Sequence, residues 1–471
     1  MKLSNVNIDD VISNTKALLE KDPTVSPALK STIELLLLIV TLLANRLGLN
    51  SRNSSKPPTS DPNRKKKEKE PGERKPGGQN GHNGSTLQKV SDPDVVETIP
   101  VDTSTLPAGE YKEVGYESRQ VIDVDISRLV TEYQAQILED LNGKRYTAPF
   151  PEGVNRSVQY GINLKAQSVF LSQYQLIPYS RVEEIFQDQA GIPISSGSIY
   201  NFNKEAYDKL ELFEKIVKAQ LIDSYICHVD ETGINIGGKR RWLHCISNKE
   251  WTYYLPHEKR GFDAIETMDV LPHFDGVLCH DHWKPYFKLD CFHALCNAHH
   301  LRELERAWEQ ENQTWAKDVR VLLLQINVAV EDAGGILSAS DSEMYRQKFR
   351  DLMQEGQKEC PPPDESQRTG KRGRLKRSFA RNLLERLINY ETETLRFMDD
   401  EKVPFSNNQG ENDIRMTKVQ QKISGCFRSM TGAKIFCRIR SYLSTCKKHN
   451  VRASEALRLL FAGKLPDFLT E

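Results

Sequence analysis

The chain has 471 residues, of which 38% are hydrophobic and 28% are charged. This composition predicts a soluble protein of roughly three domains that can bury a core. Because 65 basic residues balance 65 acidic ones, there is no overall charge to attract nucleic acid. Any nucleic-acid-binding function would therefore need locally concentrated positive charge.

The nine cysteines all lie at or after Cys227 and show no paired framework. The odd cysteine count argues against a secreted disulfide scaffold and favours the reducing cytoplasm. The first ten residues also lack the charged-then-apolar layout of a signal peptide. We therefore expect a cytoplasmic protein that is not bound to a membrane.

Residues 1–50 have the pattern of a leucine-rich helix. Their apolar run 35–44 has about half of the roughly twenty residues that a membrane span needs. The helix spacing is typical of a short coiled coil that would support self-association, but an amphipathic helix packed on its own domain has the same pattern. The positions that alternate in steps of four and three are Leu29, Ile33, Leu36, Val40, Leu43 and Leu47.

Two regions of different composition follow. Residues 51–87 are rich in Pro, Gly and charge, which predicts a flexible basic linker. Residues 88–158 alternate apolar and polar side chains at 95–100, 119–126 and 130–137, which predicts the short strands of a small β module. A cationic cluster in the linker would contact DNA phosphates, although a solvated linker with interspersed Glu has the same composition. The cluster consists of Arg64, Lys65, Lys66 and Lys67.

Residues 159–218 are predicted to be helical. A capping box that begins at Ser180 opens one helix, Gly191 interrupts it, and Ser195 or Ser196 caps the next. Helix, Gly-containing turn and helix is the arrangement of a helix-turn-helix DNA-binding domain, but a plain helical hairpin has the same pattern.

Residues 219–300 predict a different architecture. Three strand-like runs precede an amphipathic helix and a fourth strand, and Gly237 with Gly238 makes a natural turn between the first two runs. The order β-β-β-α-β is that of a ribonuclease-H-like core in a multidomain α/β protein. The long interval that follows predicts a helical insertion over 301–400, and residues 401–471 would complete the core. The three runs cover 224–230, 241–247 and 251–255.

Three carboxylates occupy contexts that fit one catalytic site. Asp230 and Asp281 each end a strand-like run, and Glu411 begins a predicted helix. Such carboxylates bind pairs of Mg²⁺ ions that drive phosphodiester chemistry, and Mn²⁺ could substitute. Each acid also has a structural interpretation. The aspartates could be turn residues after strands, and Glu411 could be a capping-box acid.

Two further groups of residues lie near these acids in the sequence. Cys296 and His299 have zinc-ligand spacing, but no second pair lies nearby, so we expect them to support the active site and expect no zinc. Cations on the helix of Glu411 and just beyond it form either a DNA-binding surface or a solvated face. These cations are Arg415, Lys418, Lys422 and Arg428.

Several motifs resemble those of the DDE transposases of the bacterial insertion-sequence family sixty-six. They lie at 281–287, 296–304, 407–411 and 425–429, and the leucine-rich helix and the Lys-Pro-Gly-Gly-Gln-Asn-Gly-His motif of the linker match as well. The resemblance implies that the three acids bind metal in a ribonuclease-H-like core. It also implies an enzyme that cleaves element ends and joins their 3′-hydroxyls to target DNA.

The same resemblance implies partners and a location. The protein would bind double-stranded DNA at element ends and at the target, as a homo-oligomer associated with the bacterial nucleoid. Accessory proteins encoded by the same element would take part.

The sequence departs from the family pattern in two places. Residues 88–158 contain no cysteine where relatives carry a zinc-binding module. Gly410 and Asn412 replace an alanine and an arginine that commonly flank the catalytic acid. These changes leave two other hypotheses open, namely a catalytically inactive regulator that binds element ends and a nuclease that cuts without joining.

Overall fold

The structure, a computed structural model, describes residues 2–3, 6–22, 24–54, 61, 87–364 and 375–470. Most of the predicted basic linker lies outside these ranges. So do all four residues of its cationic cluster, namely Arg64, Lys65, Lys66 and Lys67.

The described residues form nine β-strands and fifteen α-helices. The strands are β1 (Lys2–Leu3), β2 (Val6–Asn7), β3 (Ile137–Glu139), β4 (Arg145–Thr147), β5 (Ile226–Ile236), β6 (Lys239–Ser247), β7 (Thr252–His257), β8 (Val277–His280) and β9 (Phe292–Leu295). The helices are α1 (Ile8–Lys21), α2 (Pro27–Leu47), α3 (Ile162–Val169), α4 (Tyr179–Ala190), α5 (Ser196–Lys209), α6 (Glu211–Ile222), α7 (Phe262–Met268), α8 (Asn297–Glu311), α9 (Thr314–Asp332), α10 (Ala339–Glu359), α11 (Phe379–Asn389), α12 (Glu391–Leu395), α13 (Asn408–Ser424), α14 (Met430–Lys448) and α15 (Ala453–Phe461).

The leucine-rich segment forms two helices, α1 and α2. Ser26 caps α2 with its hydroxyl, and Ala44 is the helix residue that becomes buried. The Nε2 of Gln310 in α8 donates to the carbonyl of Asn45 (3.0 Å), which ties the end of α2 to the rest of the molecule. Among the described residues α2 is the one helix that is long and apolar enough to cross a membrane. A single such helix near the amino terminus is weak evidence for a membrane span.

The region 88–158 contains much less sheet than its sequence pattern predicts. The strands predicted at 95–100 and 119–126 are wrong, because within this region only β3 and β4 pair, as an antiparallel hairpin. The strand predicted at 130–137 is also wrong except at Ile137, the first residue of β3. The side chains of Val95 and Val121 are exposed instead of covered by a second layer. Alternation of apolar residues stabilises a strand only where a partner surface buries the apolar face.

The helical segment after this region follows its sequence signals in part. Ser195 accepts a hydrogen bond from the backbone of Ser198 at the start of α5, as predicted. Gly191 ends α4 in the left-handed conformation with φ +60°. The predicted capping box at Ser180 is wrong, because Pro178 precedes the first turn of α4 and Ser180 lies inside the helix.

A five-stranded mixed sheet with the order β7-β6-β5-β8-β9 occupies the centre of the molecule. β5, β6 and β7 are antiparallel, whereas β8 and β9 run parallel to β5. The predicted order of three strands, one helix and a fourth strand is confirmed, with α7 as the crossover helix. Gly237 and Gly238 have φ of +58° and +78°, which a tight two-residue turn between β5 and β6 requires.

Two large apolar cores cover opposite faces of this sheet. Leu278 of β8 belongs to the core shared with α3, α5, α6, α14 and α15. Its neighbours Val277 and Cys279 belong to the core formed with α8, α9, α10 and α11, because successive strand residues point to opposite faces. Residues 301–400, the predicted insertion, supply much of this second core.

Strand β5 continues past the point where its parallel pairing with β8 stops, and β6 continues beside it. We call residues 230–236 and 239–245 the β5–β6 ribbon, because there β5 pairs with β6 and no longer with β8. At its end Ile236 also bridges to Phe427. One face of the ribbon packs against α13 and α14 through Ile234, Ile414 and Phe436. The ribbon therefore brings the helix of Glu411 next to the strand of Asp230.

Candidate active site

The two predicted aspartates occupy different positions along their strands. Asp281 directly follows β8, as the sequence predicts. Asp230 lies within β5 rather than at its end, so that prediction is wrong. Antiparallel pairing with β6 extends β5 to Ile236, whereas its parallel pairing with β8 stops at His228 opposite Cys279. Asp230 thus lies just past the parallel part of the sheet, at the edge where β8 ends.

Glu411 lies in the first turn of α13. The residue that precedes the helix is Asn407, and no side chain caps the helix, so the interpretation of Glu411 as a capping-box acid is wrong. The Oε1 atom of Glu411 instead lies 3.7 Å from Nδ1 of His299 and 3.5 Å from Nη2 of Arg302. This oxygen is buried and accepts no hydrogen bond from the described residues.

The three predicted acids form one electrostatic group. The pKa of Asp230 is raised to about 8, mainly by burial and then by the charges of Glu231, Asp281 and Glu411 in that order. A hydrogen bond from the backbone N–H of Glu231 opposes this shift only in part. The fold therefore concentrates negative charge from β5, from the end of β8 and from α13 around the half-buried carboxyl of Asp230.

The side chain of Asn407 holds these elements together. It is buried, and its Nδ2 donates to the carbonyl of Val229 on β5 (2.8 Å). Its Oδ1 accepts from Nδ1 of His228 (2.8 Å), and its backbone N–H donates to Sγ of Cys296 (3.1 Å). In the sequence, Asn407 belongs to a motif at 407–411, and no local pattern indicates this bridging role.

Gly410 has a packing reason in this arrangement. A Cβ atom at position 410 would lie 3.1 Å from both the nitrogen and the oxygen of the Asn407 amide. That separation is tighter than ordinary van der Waals contact, so glycine leaves room for the buried amide. Asn412, the second departure from the family pattern, is exposed.

Cys296 and His299 lie at the start of α8, beside Glu411. Burial raises the pKa of the Cys296 thiol. Burial, and next the charge of Arg302, lower the pKa of His299, while Asp281 and Glu411 oppose that shift. Cys296, His299 and Glu411 each place one ligand atom within 4.8 Å of the others, so the three could share a cation. The expectation that the protein needs no zinc therefore stays a prediction.

Glu231 is a buried acid that sequence reasoning did not identify as a functional residue. Its side chain is only 1% exposed, and it accepts hydrogen bonds from Arg260 (Nε, 2.8 Å) and from the hydroxyl of Tyr286 (2.7 Å). Burial and the charge of Asp281 raise the pKa of Glu231, and Arg260 lowers it. No feature of the sequence distinguishes this carboxyl from a solvated residue beside Asp230.

The predicted DNA-binding cations of the carboxyl-terminal region lie on the surface. Lys418 reaches back to β5, where its Nζ donates to the carbonyl of Gly233 (3.0 Å). The contact places part of the positive face of α13 beside the β5–β6 ribbon. The exposed cations are Arg415, Lys418, Lys422 and Arg428.

Comparison with known proteins agrees with this architecture. Residues 2–88 match a family of unknown function (DUF6444), and no curated protein matches the chain. Residues 157–435 match the transposase IS66 family, a segment that includes the whole sheet and all three acids. Members of this family are DNA-processing proteins. Because the match spans more than half of the 471 residues, the chain belongs to the transposase IS66 family.

Proposed function

We propose that the protein is a DDE-type DNA transposase with a ribonuclease-H-like core. It cleaves phosphodiester bonds at the ends of its element and joins the freed 3′-hydroxyls to target DNA. The observation that carries this proposal is the position of three acids on separate elements. Asp230 lies on β5 just past its pairing with β8, Asp281 directly follows β8, and Glu411 lies in the first turn of α13. The charges of Asp281 and Glu411 both raise the pKa of Asp230, which supports their proximity.

The topology of the sheet supports a ribonuclease-H-like core. Three antiparallel strands are followed by a crossover helix and by two strands parallel to the first. This order places Asp230 on the central strand β5 and Asp281 directly after the neighbouring strand β8. The predicted insertion separates these elements from α13 in sequence but not in space.

The acidic group fits hard divalent cations. Glu411 has a buried oxygen without a hydrogen-bond partner, and three acids raise the pKa of Asp230, so the group needs positive charge. Asp230, Asp281 and Glu411 would hold a pair of Mg²⁺ ions, for which Mn²⁺ could substitute. When bound, such ions activate a water or a 3′-hydroxyl and stabilise the leaving oxygen of an in-line displacement.

The protein's own residues fix the positions of the acids. The β5–β6 ladder holds the backbone of Asp230, and Asn407 ties that strand to the first turn of α13. The backbone N–H of Trp283 donates to Oδ1 of Asp281 (3.1 Å), which limits rotation of that carboxylate. His299 and Arg302 restrain Glu411, and their N–H groups are available to a DNA phosphate nearby.

The partners follow from the same proposal. Double-stranded DNA would contact the exposed cations of α13, and the leucine-rich α2 would support a homo-oligomer on DNA. Accessory proteins from the same element and a nucleoid location belong to this proposal through the family.

A supercoiled donor plasmid that carries both element ends tests the proposal. We expect Asp230→Asn, Asp281→Asn and Glu411→Gln each to lower end cleavage and strand transfer at least about a thousandfold. The matched control is Asp332→Asn at the exposed end of α9, which should retain wild-type activity. Full strand transfer by Asp230→Asn would refute the assignment of that residue.

The same assay separates the two competing hypotheses. A catalytically inactive regulator would bind element ends but cleave nothing in Mg²⁺ or Mn²⁺. Its support from the sequence is weakened at one position, because Gly410 accommodates the buried Asn407 amide. A nuclease that cuts without joining would release ends and leave no covalent junctions with target DNA.

A further inference from the structure

Four side chains form a continuous stack of alternating guanidinium and indole groups beside the active site. The guanidinium of Arg240 lies 4.8 Å from the ring centroid of Trp242. That of Arg260 lies 5.1 Å from the same ring and 4.8 Å from the ring of Trp283. We call Arg240, Trp242, Arg260 and Trp283 the arginine–tryptophan column.

The column extends along the β5–β6 ribbon from Glu231, the neighbour of Asp230. Trp283 lies two residues after Asp281, and Arg260 bonds to Glu231, the neighbour of Asp230. Trp242 and Arg240 lie further out on β6, past the end of parallel pairing. As residues i and i+2 of a strand, they point to the same face of the ribbon. In this register Trp242 and Arg240 share the face of Glu231, whereas Asp230 lies on the other face. One end of the column thus lies at Glu231, and the other end, Arg240, is exposed.

The guanidinium of Arg260 is held in a fixed plane. The buried carboxylate of Glu231 accepts from both its Nε and its Nη2, and the hydroxyl of Tyr286 donates to the same carboxylate. The indole rings of Trp242 and Trp283 both lie close to the guanidinium. The side chain of Arg260 is nevertheless 39% exposed, so its remaining N–H groups can reach a ligand. A guanidinium ordered in advance loses less side-chain entropy when it binds.

The outer end of the column carries uncompensated positive charge. Arg240 is exposed and forms no ion pair within the described ranges of the chain. Burial, and next the charge of nearby Arg240, lower the pKa of the Lys418 ammonium group on α13. Two neighbouring cations that lack a carboxylate partner fit an anionic ligand. Planar guanidinium donors match the oxygens of a phosphodiester in particular.

We propose that the arginine–tryptophan column binds the DNA backbone beside the scissile phosphate, with Arg240 and Arg260 each contacting one phosphate. Trp242 and Trp283 hold the guanidinium planes in position and do not themselves read sequence. The inference rests on the proposed function for its location, because it takes the three acids as the catalytic site. It adds residues outside the predicted cationic groups and assigns them a contact with the phosphodiester backbone.

Salt-dependent binding of the full-length chain tests this contact. The probe is a fluorescein-labelled duplex of arbitrary sequence, because phosphate contacts are independent of sequence. The slope of log K against log salt is negative, and each lost phosphate contact decreases its magnitude by about 0.9. We expect this decrease for Arg240→Ala. Between 1 M and 0.1 M salt, the affinity of the variant should then increase about eightfold less than that of the wild type. Arg260→Lys keeps the charge but loses the fork, so we expect weaker binding with a nearly unchanged slope.

The matched control is Arg241→Ala. Arg241 adjoins both Arg240 and Trp242 on β6, but it points to the opposite face and pairs with Glu258 (3.4 Å). Its slope should equal that of the wild type. Equal slopes for Arg240→Ala, Arg241→Ala and the wild type would overturn the proposal, as would a wild-type slope of zero.

A cleavage measurement places the column at the active site. Arg240→Ala should raise the DNA concentration needed for half-maximal cleavage and leave the rate at saturating DNA within about twofold of the wild type. A lower rate at saturating DNA with an unchanged half-saturating concentration would contradict a binding role.

Failure of the catalytic assignment and failure of the column can be distinguished. If Asp230→Asn still cleaves while Arg240→Ala decreases the magnitude of the slope, the catalytic assignment fails and the DNA contact stands. If Asp230→Asn is inactive and the slopes are equal, the column fails alone.

Discussion

Residues 159–470 and the region before them differ in what covers their apolar side chains. In the carboxyl-terminal region, helices cover both faces of the sheet, and residues such as Trp315 and Tyr442 are fully buried. In 88–158 the valines and leucines are mostly exposed, and α2 also leaves most of its leucines exposed. The sequences of both regions contain clear apolar periodicity. Apolar periodicity therefore yields packed structure only where a second element buries the apolar face.

The largest effect that would test this comparison is expected at Trp315. The side chain is buried in the second core, and its indole N–H donates to Gln313 (2.9 Å). Trp315→Ala should lower the free energy of unfolding by about 4 kcal/mol, because it leaves a large cavity. Urea denaturation followed by circular dichroism measures the change. The control is Val121→Ala at an exposed position, which should shift stability by less than about 0.5 kcal/mol. Equal shifts would contradict the contrast between the regions.

A smaller loss of stability is expected at Asn407, whose side chain connects β5 to the start of α13. Asn407→Ala removes both side-chain hydrogen bonds and leaves the ring of His228 and the carbonyl of Val229 buried without that partner. We expect a loss of about 3 kcal/mol in the free energy of unfolding, again by urea denaturation. Asn408→Ala is the matched control, because its side chain is exposed on the adjacent residue. A change at 407 as small as that at 408 would show that this side chain does not hold α13 to β5.

Helix α10 offers a test of packing against helix propensity. A Cβ at Gly356 would lie 2.9 Å from Cδ1 of Leu384 and 3.0 Å from the ring of Trp315. Although Ala is favoured over Gly in helices by up to about 1 kcal/mol, we expect overpacking to dominate in Gly356→Ala. The net loss of unfolding free energy should be about 1–2 kcal/mol. Gly197→Ala in α5, where a Cβ meets only ordinary contacts, should be neutral or stabilising. Stabilisation at 356 would show that the second core is loosely packed.

The smallest effect on folding is expected in α2. Replacing Leu36 and Leu43 by Asp should lower the unfolding free energy of the monomeric chain by less than about 1 kcal/mol, because both side chains are exposed and only helix propensity is lost. The same double variant should abolish self-association if α2 forms the predicted coiled coil. Sedimentation velocity measures the mass, with Lys30→Ala on the same helix as the control. A wild type that sediments as a monomer would contradict the coiled-coil prediction.

Some features followed from the sequence because the responsible interactions are local. Paired glycines at 237–238 predicted the turn between β5 and β6, and the serine cap at Ser195 predicted the start of α5. The apolar run before Asp281 predicted where β8 ends. Turn and cap chemistry involves residues a few positions apart, so it can be read along the chain.

The tertiary structure decided what depends on residues far apart in sequence. Asn407 bonds to Val229 and His228 across 178 and 179 positions, and no local pattern encodes such a contact. Asp230 lies inside a strand because β6 extends the pairing beyond β8. Glu231 became a buried, paired carboxyl only when Arg260 and Tyr286 surrounded it. The sequence thus determined which residue types are present and where elements begin, whereas packing between distant elements decided which of them form one site.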